Sequence, residues 1–214
     1  MLYLLHGSND RPQGFVDMAN INYIADNLIA EKKAEPMIIV MPVSHALPFG
    51  SRGTPTRNNA AVFEEYLLKD VLPAVEAKYR VAAGRHHRAV AGVSMGGDIA
   101  MRVFSNHVDK FAAVGLFSAA GAARGVPAEK PATFADAKTF NSTVDAFYLA
   151  CGKQDRLFAS SQGLAETLTQ LGINHTWRPT EGFHNYALWR QHVIEFLPML
   201  FHPSRPSATN AARK

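Results

Sequence analysis

Three residues of this chain have side chains and settings suited to attack on an acyl carbon: Ser94, Asp155 and His184. Ser94 stands in Gly92-Val93-Ser94-Met95-Gly96, a Gly-x-Ser-x-Gly pentapeptide that average residue frequencies supply in roughly one chain in fifteen. Its surroundings lift it above chance. The apolar run Ala89-Val90-Ala91 leads in as a strand and residues 97–104 lead out as a helix, which is the context of a nucleophile elbow. A turn that tight strains the serine backbone and brings neighbouring chain too close for side chains at Gly92 and Gly96. It also aims the first N–H groups of the helix, that of Met95 included, at the space where an oxyanion would form.

A serine hydroxyl is a poor nucleophile at neutral pH, so a histidine must take its proton and a carboxylate must hold that histidine in the right tautomer. On a strand–elbow–helix scaffold the expected chain order is Ser, acid, His. Asp155 follows the apolar run 146–150 by a short glycine-containing loop, and His184 lies between the last β-rich run and the last helical stretch. The rival acids are worse placed: Asp145 precedes its strand and so falls at the opposite sheet edge, and Glu181 is close in sequence to His184 itself. Among the histidines, His175 starts the last strand, His192 is inside the last helix, and His86 and His87 precede the nucleophile strand. His6 is at the correct edge but too early in the chain order, and His45 is a weaker loop candidate for the base.

The elements that must position these residues alternate. Short apolar, β-rich runs at 2–5, 37–41, 88–91, 113–117, 146–150 and 175–178 predict six buried strands. Amphipathic stretches at 21–33, 60–79, 97–106, 160–171 and 186–201 predict the intervening helices. Such alternation means a mostly parallel sheet with helices on both faces, whose chemistry sits just beyond the carboxyl ends of the strands. His6-Gly7-Ser8, the Ser94 pentapeptide, Gly152-Lys153-Gln154-Asp155 and Glu181-Gly182-Phe183-His184 occupy four such ends. Two irregular stretches, 42–59 and 119–142, are expected as loops near the mouth. The first carries His45 and Phe49 and is the better candidate for contact with substrate, as are Phe183 and Trp189 beside His184.

Composition bounds the rest. With 214 residues, 47% hydrophobic and 19% charged, residues 1–202 are expected to form a single domain. Residues 203–214, PSRPSATNAARK, hold no large apolar residue and are expected to be a disordered basic tail. Of the net charge of +4, three charges come from Arg205, Arg213 and Lys214 in that tail, so the balance does not mark a nucleic-acid binder. No run is apolar and long enough for a membrane helix, and no signal-peptide pattern opens the chain, which leaves the compartment undetermined. The lone Cys151 excludes an internal disulfide. His-Glu-x-x-His, a phosphate-binding loop and a dinucleotide fingerprint are all absent, so neither a metal nor a cofactor is expected.

Taken together these residues resemble the putative-esterase group of α/β hydrolases, which includes feruloyl and acetylxylan esterases, S-formylglutathione hydrolases and mycolyltransferases. The resemblance covers nearly the whole chain. It rests on Tyr3-Leu4-Leu5-His6-Gly7, Asp26-Asn27-Leu28-Ile29-Ala30, the run from Met37 to Pro42, Ala91-Gly92-Val93-Ser94-Met95-Gly96-Gly97, Cys151-Gly152-Lys153-Gln154-Asp155, and His184 with Trp189-Arg190. It implies an α/β-hydrolase fold without a large lid, and a second oxyanion donor in the backbone N–H of Ser8, beside that of Met95. It further implies a serine carboxylic ester hydrolase, with feruloyl or acetyl esters of plant polysaccharide as the preferred substrates. Thioester hydrolysis or acyl transfer on the same triad, and an inactive hydrolase fold used for binding, are the alternatives. The chain departs from the group at its start, where additional N-terminal strands are usual. The strand from Met37 to Met41 would then be a bare apolar edge, and either a homodimer through it or an upstream segment that covers it is expected.

Overall fold

The computed structural model describes residues 1–8, 10–47, 56–119 and 132–202. The tail 203–214 and Phe49 lie outside the described residues.

All six expected strands are present: β1 (Leu2–Leu5), β2 (Ile39–Val40), β3 (Ala89–Val93), β4 (Ala113–Phe117), β5 (Ala146–Gly152) and β6 (Thr176–Thr180). They form one sheet in the order β2-β1-β3-β4-β5-β6, and every pairing is parallel. The order reverses direction between β1 and β3, the point at which open α/β sheets leave a crevice. Register aligns the carboxyl ends: Leu5 pairs with Gly92, Val93 with Phe117, and Phe117 with Ala150. His6, Ser94 and Ser118 therefore emerge from their strands on one edge of the sheet.

The helices are α1 (Gly14–Asp17), α2 (Ile21–Ala30), α3 (Thr56–Tyr66), α4 (Leu72–Lys78), α5 (Met95–Asn106), α6 (Ala137–Thr143), α7 (Phe158–Gln170) and α8 (Tyr186–Phe196). Between α3 and α4 a π-helical turn, Leu67–Val71, carries the long helix across Pro73. There Leu72 N–H donates to Leu67 O, one residue farther back than in an α-helix. Period-two alternation in the strands sends side chains to two cores. Tyr3, Leu5, Val90, Val114, Leu116 and Leu149 pack with Phe63 of α3, Ile99 and Phe104 of α5 and Leu168 of α7. On the other face, Leu2, Leu4, Ala91, Phe117 and Tyr148 pack with Ile24 and Leu28 of α2 and with Trp189, Val193 and Phe196 of α8. The α/β-hydrolase architecture expected from the sequence is thus present, with helices on both faces.

One expected strand is shorter than its apolar run. Only Ile39 and Val40 of 37–41 pair, because Pro36 and Pro42 bracket the run and withhold their N–H groups. The edge is also less bare than expected. Ile38 and Val40 pack on one core, and Met37, Ile39 and Met41 on the other. No helix of the described residues is long and apolar enough to cross a membrane.

Candidate active site

Ser94 is held in a conformation its sequence context anticipated. Its φ is 53° and its ψ −122°, in the left-handed region that L-residues avoid, and it stands at the N-cap of α5. Two backbone bonds fix it there: Ser94 N–H donates to Phe117 O at 2.9 Å, and Gly97 N–H donates to Ser94 O at 2.9 Å. The flanking glycines are required by close approach. A Cβ on Gly92 would stand 2.3 Å from the Gly96 carbonyl, and one on Gly96 would stand 2.3 Å from Leu5 O and 2.6 Å from His6 O. The elbow is therefore wedged against the end of β1. Met95, the first residue of α5, carries one of the N–H groups that a helix leaves without an internal partner.

Asp155 and His184 arrive from β5 and β6. Asp155 N–H donates to Gly152 O at 3.0 Å, closing a turn that buries its side chain completely. His184 immediately precedes Asn185, whose side chain caps α8 by accepting the N–H of Leu188. The two residues meet: His184 Nδ1–H donates to Asp155 Oδ2 at 2.7 Å. A carboxylate only accepts, so the proton is on Nδ1 and the lone pair is on Nε2, the tautomer a general base needs. Burial pushes the Asp155 carboxyl upward. The bonds from His184, the Leu157 N–H (2.8 Å) and the Ser118 hydroxyl outweigh it and hold the carboxyl below the usual range.

The loops bearing this pair are tied to each other. Lys153 N–H donates to Thr180 O at 2.7 Å, and Gln154 N–H to Gly182 O at 3.2 Å. The Gln154 side chain accepts from Gly182 N–H at 2.6 Å and donates to Glu181 at 2.6 Å, while Lys153 pairs with Glu181 at 2.7 Å. Glu181, the rival acid, is committed to this clamp.

A second carboxylate–imidazole pair, His86 with Asp145 at 2.8 Å, lies at the amino edge of the sheet and is open to solvent. His192 is fully buried, donating to or accepting from Thr180 Oγ1 at 2.9 Å, and His175 contacts Ile173 O.

The segment after β1 carries the remaining predicted residues. A Cβ on Gly7 would lie 3.2 Å from Ser94 Cβ and 3.8 Å from Ser94 Oγ, so the turn holding Ser8 runs beside the serine. His6 is buried, with Ser44 N–H donating to Nε2 at 2.8 Å and Nδ1 at 2.9 Å from Gly7 O. Ser44 N–H can only donate, so His6 keeps its proton on Nδ1 and serves to shape this turn. At the far end of the segment the Tyr186 hydroxyl donates to Asp10. His45 is exposed, its ring 5.5 Å from that of His6, and Phe183 is 64% exposed beside His184. Trp189 is placed otherwise than a residue of the open mouth. It is 7% exposed, stands edge-on to His184 at 5.1 Å, and donates its indole N–H to Ser118 Oγ at 3.0 Å.

Ser118 was not singled out from the sequence. The one signal available was its place directly after β4, at the same edge as the others.

The family model described as "Putative esterase" matches residues 1–200. An endo-1,4-β-xylanase/feruloyl esterase from Xylanibacter ruminicola is 27% identical over 204 residues, covering 94% of this chain and 26% of the relative. The chain thus spans about a quarter of that curated relative's length. A solved ferulic acid esterase is 27% identical with a TM-score of 0.76, over 92% of this chain and 82% of that one. A ferulic acid esterase from Anaeromyces mucronatus, solved with ferulic acid, shares the fold at a TM-score of 0.77 and 22% identity, over 94% of this chain and 78% of that one. With the family model spanning nearly its whole length, the chain belongs to the putative esterase family of α/β hydrolases.

Proposed function

We propose that the chain hydrolyses carboxylic esters through Ser94, His184 and Asp155, with feruloyl esters of plant polysaccharide as the preferred substrates and acetyl esters next. The observation that carries the reading is the His184–Asp155 bond of 2.7 Å at the sheet edge where Ser94 occupies its strained elbow. The feruloyl preference rests on the names of the relatives.

In this mechanism Ser94 Oγ attacks the acyl carbon while His184 Nε2 takes the hydroxyl proton. The carbonyl electron pair moves onto oxygen, where the N–H groups of Met95 and Ser8 receive it; each such donor is worth about 3 to 4 kcal/mol in comparable sites. Collapse of the intermediate expels the alcohol, which takes the proton from His184. Water then attacks the acyl-enzyme, giving a proton to His184 that returns to Ser94 as the acid leaves. Asp155 stays ionised throughout and steadies the imidazolium. His45 and Phe183, exposed near this edge, are the candidate contacts to the acyl or alcohol part.

The test is turnover of p-nitrophenyl acetate and methyl ferulate, with fluorophosphonate labelling, by the parent chain and Ser94→Ala. The expected result is labelling of the parent alone and a loss of kcat on the order of 10⁶ in the variant. Undiminished turnover by Ser94→Ala would sink the proposal.

A further inference from the structure

β4 ends at Phe117, and the next residue, Ser118, is completely buried with φ at 50°. Its N–H donates to Ala150 O at 2.8 Å, which fastens it to the strand that delivers Asp155. Two of the groups around its hydroxyl have fixed hydrogen-bonding roles. Trp189 Nε1 can only donate and does so at 3.0 Å; the Cys151 thiol approaches at 3.9 Å; and the Asp155 carboxylate can only accept. With one lone pair engaged by the indole, the hydroxyl has its proton to give, and of its neighbours the Asp155 carboxylate is the one that can only accept.

The same indole that orients the hydroxyl also stands edge-on to the His184 ring, at 5.1 Å and 88°. Trp189, Ser118, Asp155 and His184 thus close a ring of contacts in which each member restrains the next. Asp155 Oδ1 accepts the Leu157 N–H and Oδ2 the His184 N–H. The Ser118 hydroxyl is a further hydrogen-bonding neighbour that lowers the carboxyl's pKa. It comes from the end of β4, the strand whose Phe117 carbonyl holds the Ser94 N–H. A buried hydrogen-bond network of this kind restrains geometry only when every member is satisfied.

We propose that Ser118 is a positioning residue for the esterase reaction: oriented by Trp189, its hydroxyl fixes the Asp155 carboxylate in the attitude that aligns His184. The proposal rests on the triad reading above. Removing the hydroxyl leaves the carboxylate two donors, freer to turn, and richer in charge toward protonated imidazole.

The test uses Ser118→Gly, which accepts the left-handed backbone without strain, Ser118→Ala, which keeps the Cβ, and Trp189→Phe, which keeps a ring but deletes the donor. For the Ser118 variants the expected kcat on p-nitrophenyl acetate falls about tenfold with KM within about twofold, as befits an interaction acting through the base. The acid limb of kcat/KM moves about half a pH unit upward, because the carboxylate loses a donor that lowered its charge density. Trp189→Phe gives a smaller shift in the same direction. Loss of packing alone would lower the melting temperature without moving the limb. Ser118→Gly folded like the parent, with kcat and acid limb unchanged, would overturn the inference. The low-field NMR signal of the His184 Nδ1 proton separates this from the parent reading. In a Ser94→Ala background, where turnover plays no part, Ser118→Gly is expected to shift or broaden that signal, and an unmoved signal also overturns the inference whatever Ser94 does.

Discussion

Replacing Asp155 by Asn tests the site at a single atom pair. Asp155 Oδ1 accepts the Leu157 N–H at 2.8 Å, so the amide oxygen of Asn takes that place and its NH₂ group falls where Oδ2 now receives His184 at 2.7 Å. Two donors cannot face each other, and His184 must move its proton to Nε2, turning toward Ser94 a donor where an acceptor is needed. The shape of the buried pocket is kept, since the change is nearly isosteric. The expected outcome is a fall in kcat of about 10⁴, or about 5.5 kcal/mol of transition-state stabilisation, as the same exchange of tautomer costs in triads of this type. Stopped-time assays on p-nitrophenyl acetate with active-site titration measure it, alongside a thermal melt to establish that the fold is intact. A folded Asp155→Asn retaining kcat within tenfold of the parent would refute the tautomer argument and with it the role given to Asp155.

Two further outcomes are expected. Burial lowers the pKa of His192 from 6.5 to about 4, so the folded protein holds it neutral where the unfolded chain protonates it. A depressed value means that its contribution is whole above pH 6.5 and lost as pH falls toward 4, an effect of about 3 kcal/mol. His192→Phe should therefore lose roughly 10 °C less in melting temperature than the parent between pH 7 and 4, and parallel losses would contradict this account. Among the described residues β2 pairs with no strand on its outer side, and we propose that a second copy pairs there. Sedimentation velocity with Ile39→Lys against the parent measures it, and a parent that stays monomeric at high concentration removes the idea.

Much of the geometry of the candidate site was legible because chemistry and topology constrain each other. Ser94 needed glycines on either side, a strand before and a helix after, and residues 89–104 supply all of these. Asp155 and His184 followed from strand-end positions and chain order, and Asp145 could be set aside because it begins its strand; it is found paired with His86 at the far edge. Less legible were contacts between elements distant in sequence. Trp189, read as a candidate contact to substrate, turns inward because its position on α8 faces the core beside Phe117, and only the folded register brings Ser118 beneath it. Likewise the role of His6 depends on Ser44, which approaches from beyond β2. The run 37–41 looked like a full strand by composition, and the prolines at its ends limited the ladder to two residues.

The contact of Gly96 with the carbonyls of Leu5 and His6 bears on how the protein comes to life. β1 lies inside the sheet, flanked by β2 and β3, so the elbow is completed only when segments about ninety residues apart have docked. Pairings of such sequence separation close late, because chain entropy is lost before they form. A nascent or partly unfolded molecule would carry the serine in an ordinary turn, without its strain or its neighbours. On the mechanism proposed above, reactivity is in this way conditional on the finished central sheet, and the rate at which fluorophosphonate labelling of Ser94 returns during refolding is expected to report the slowest step of assembly.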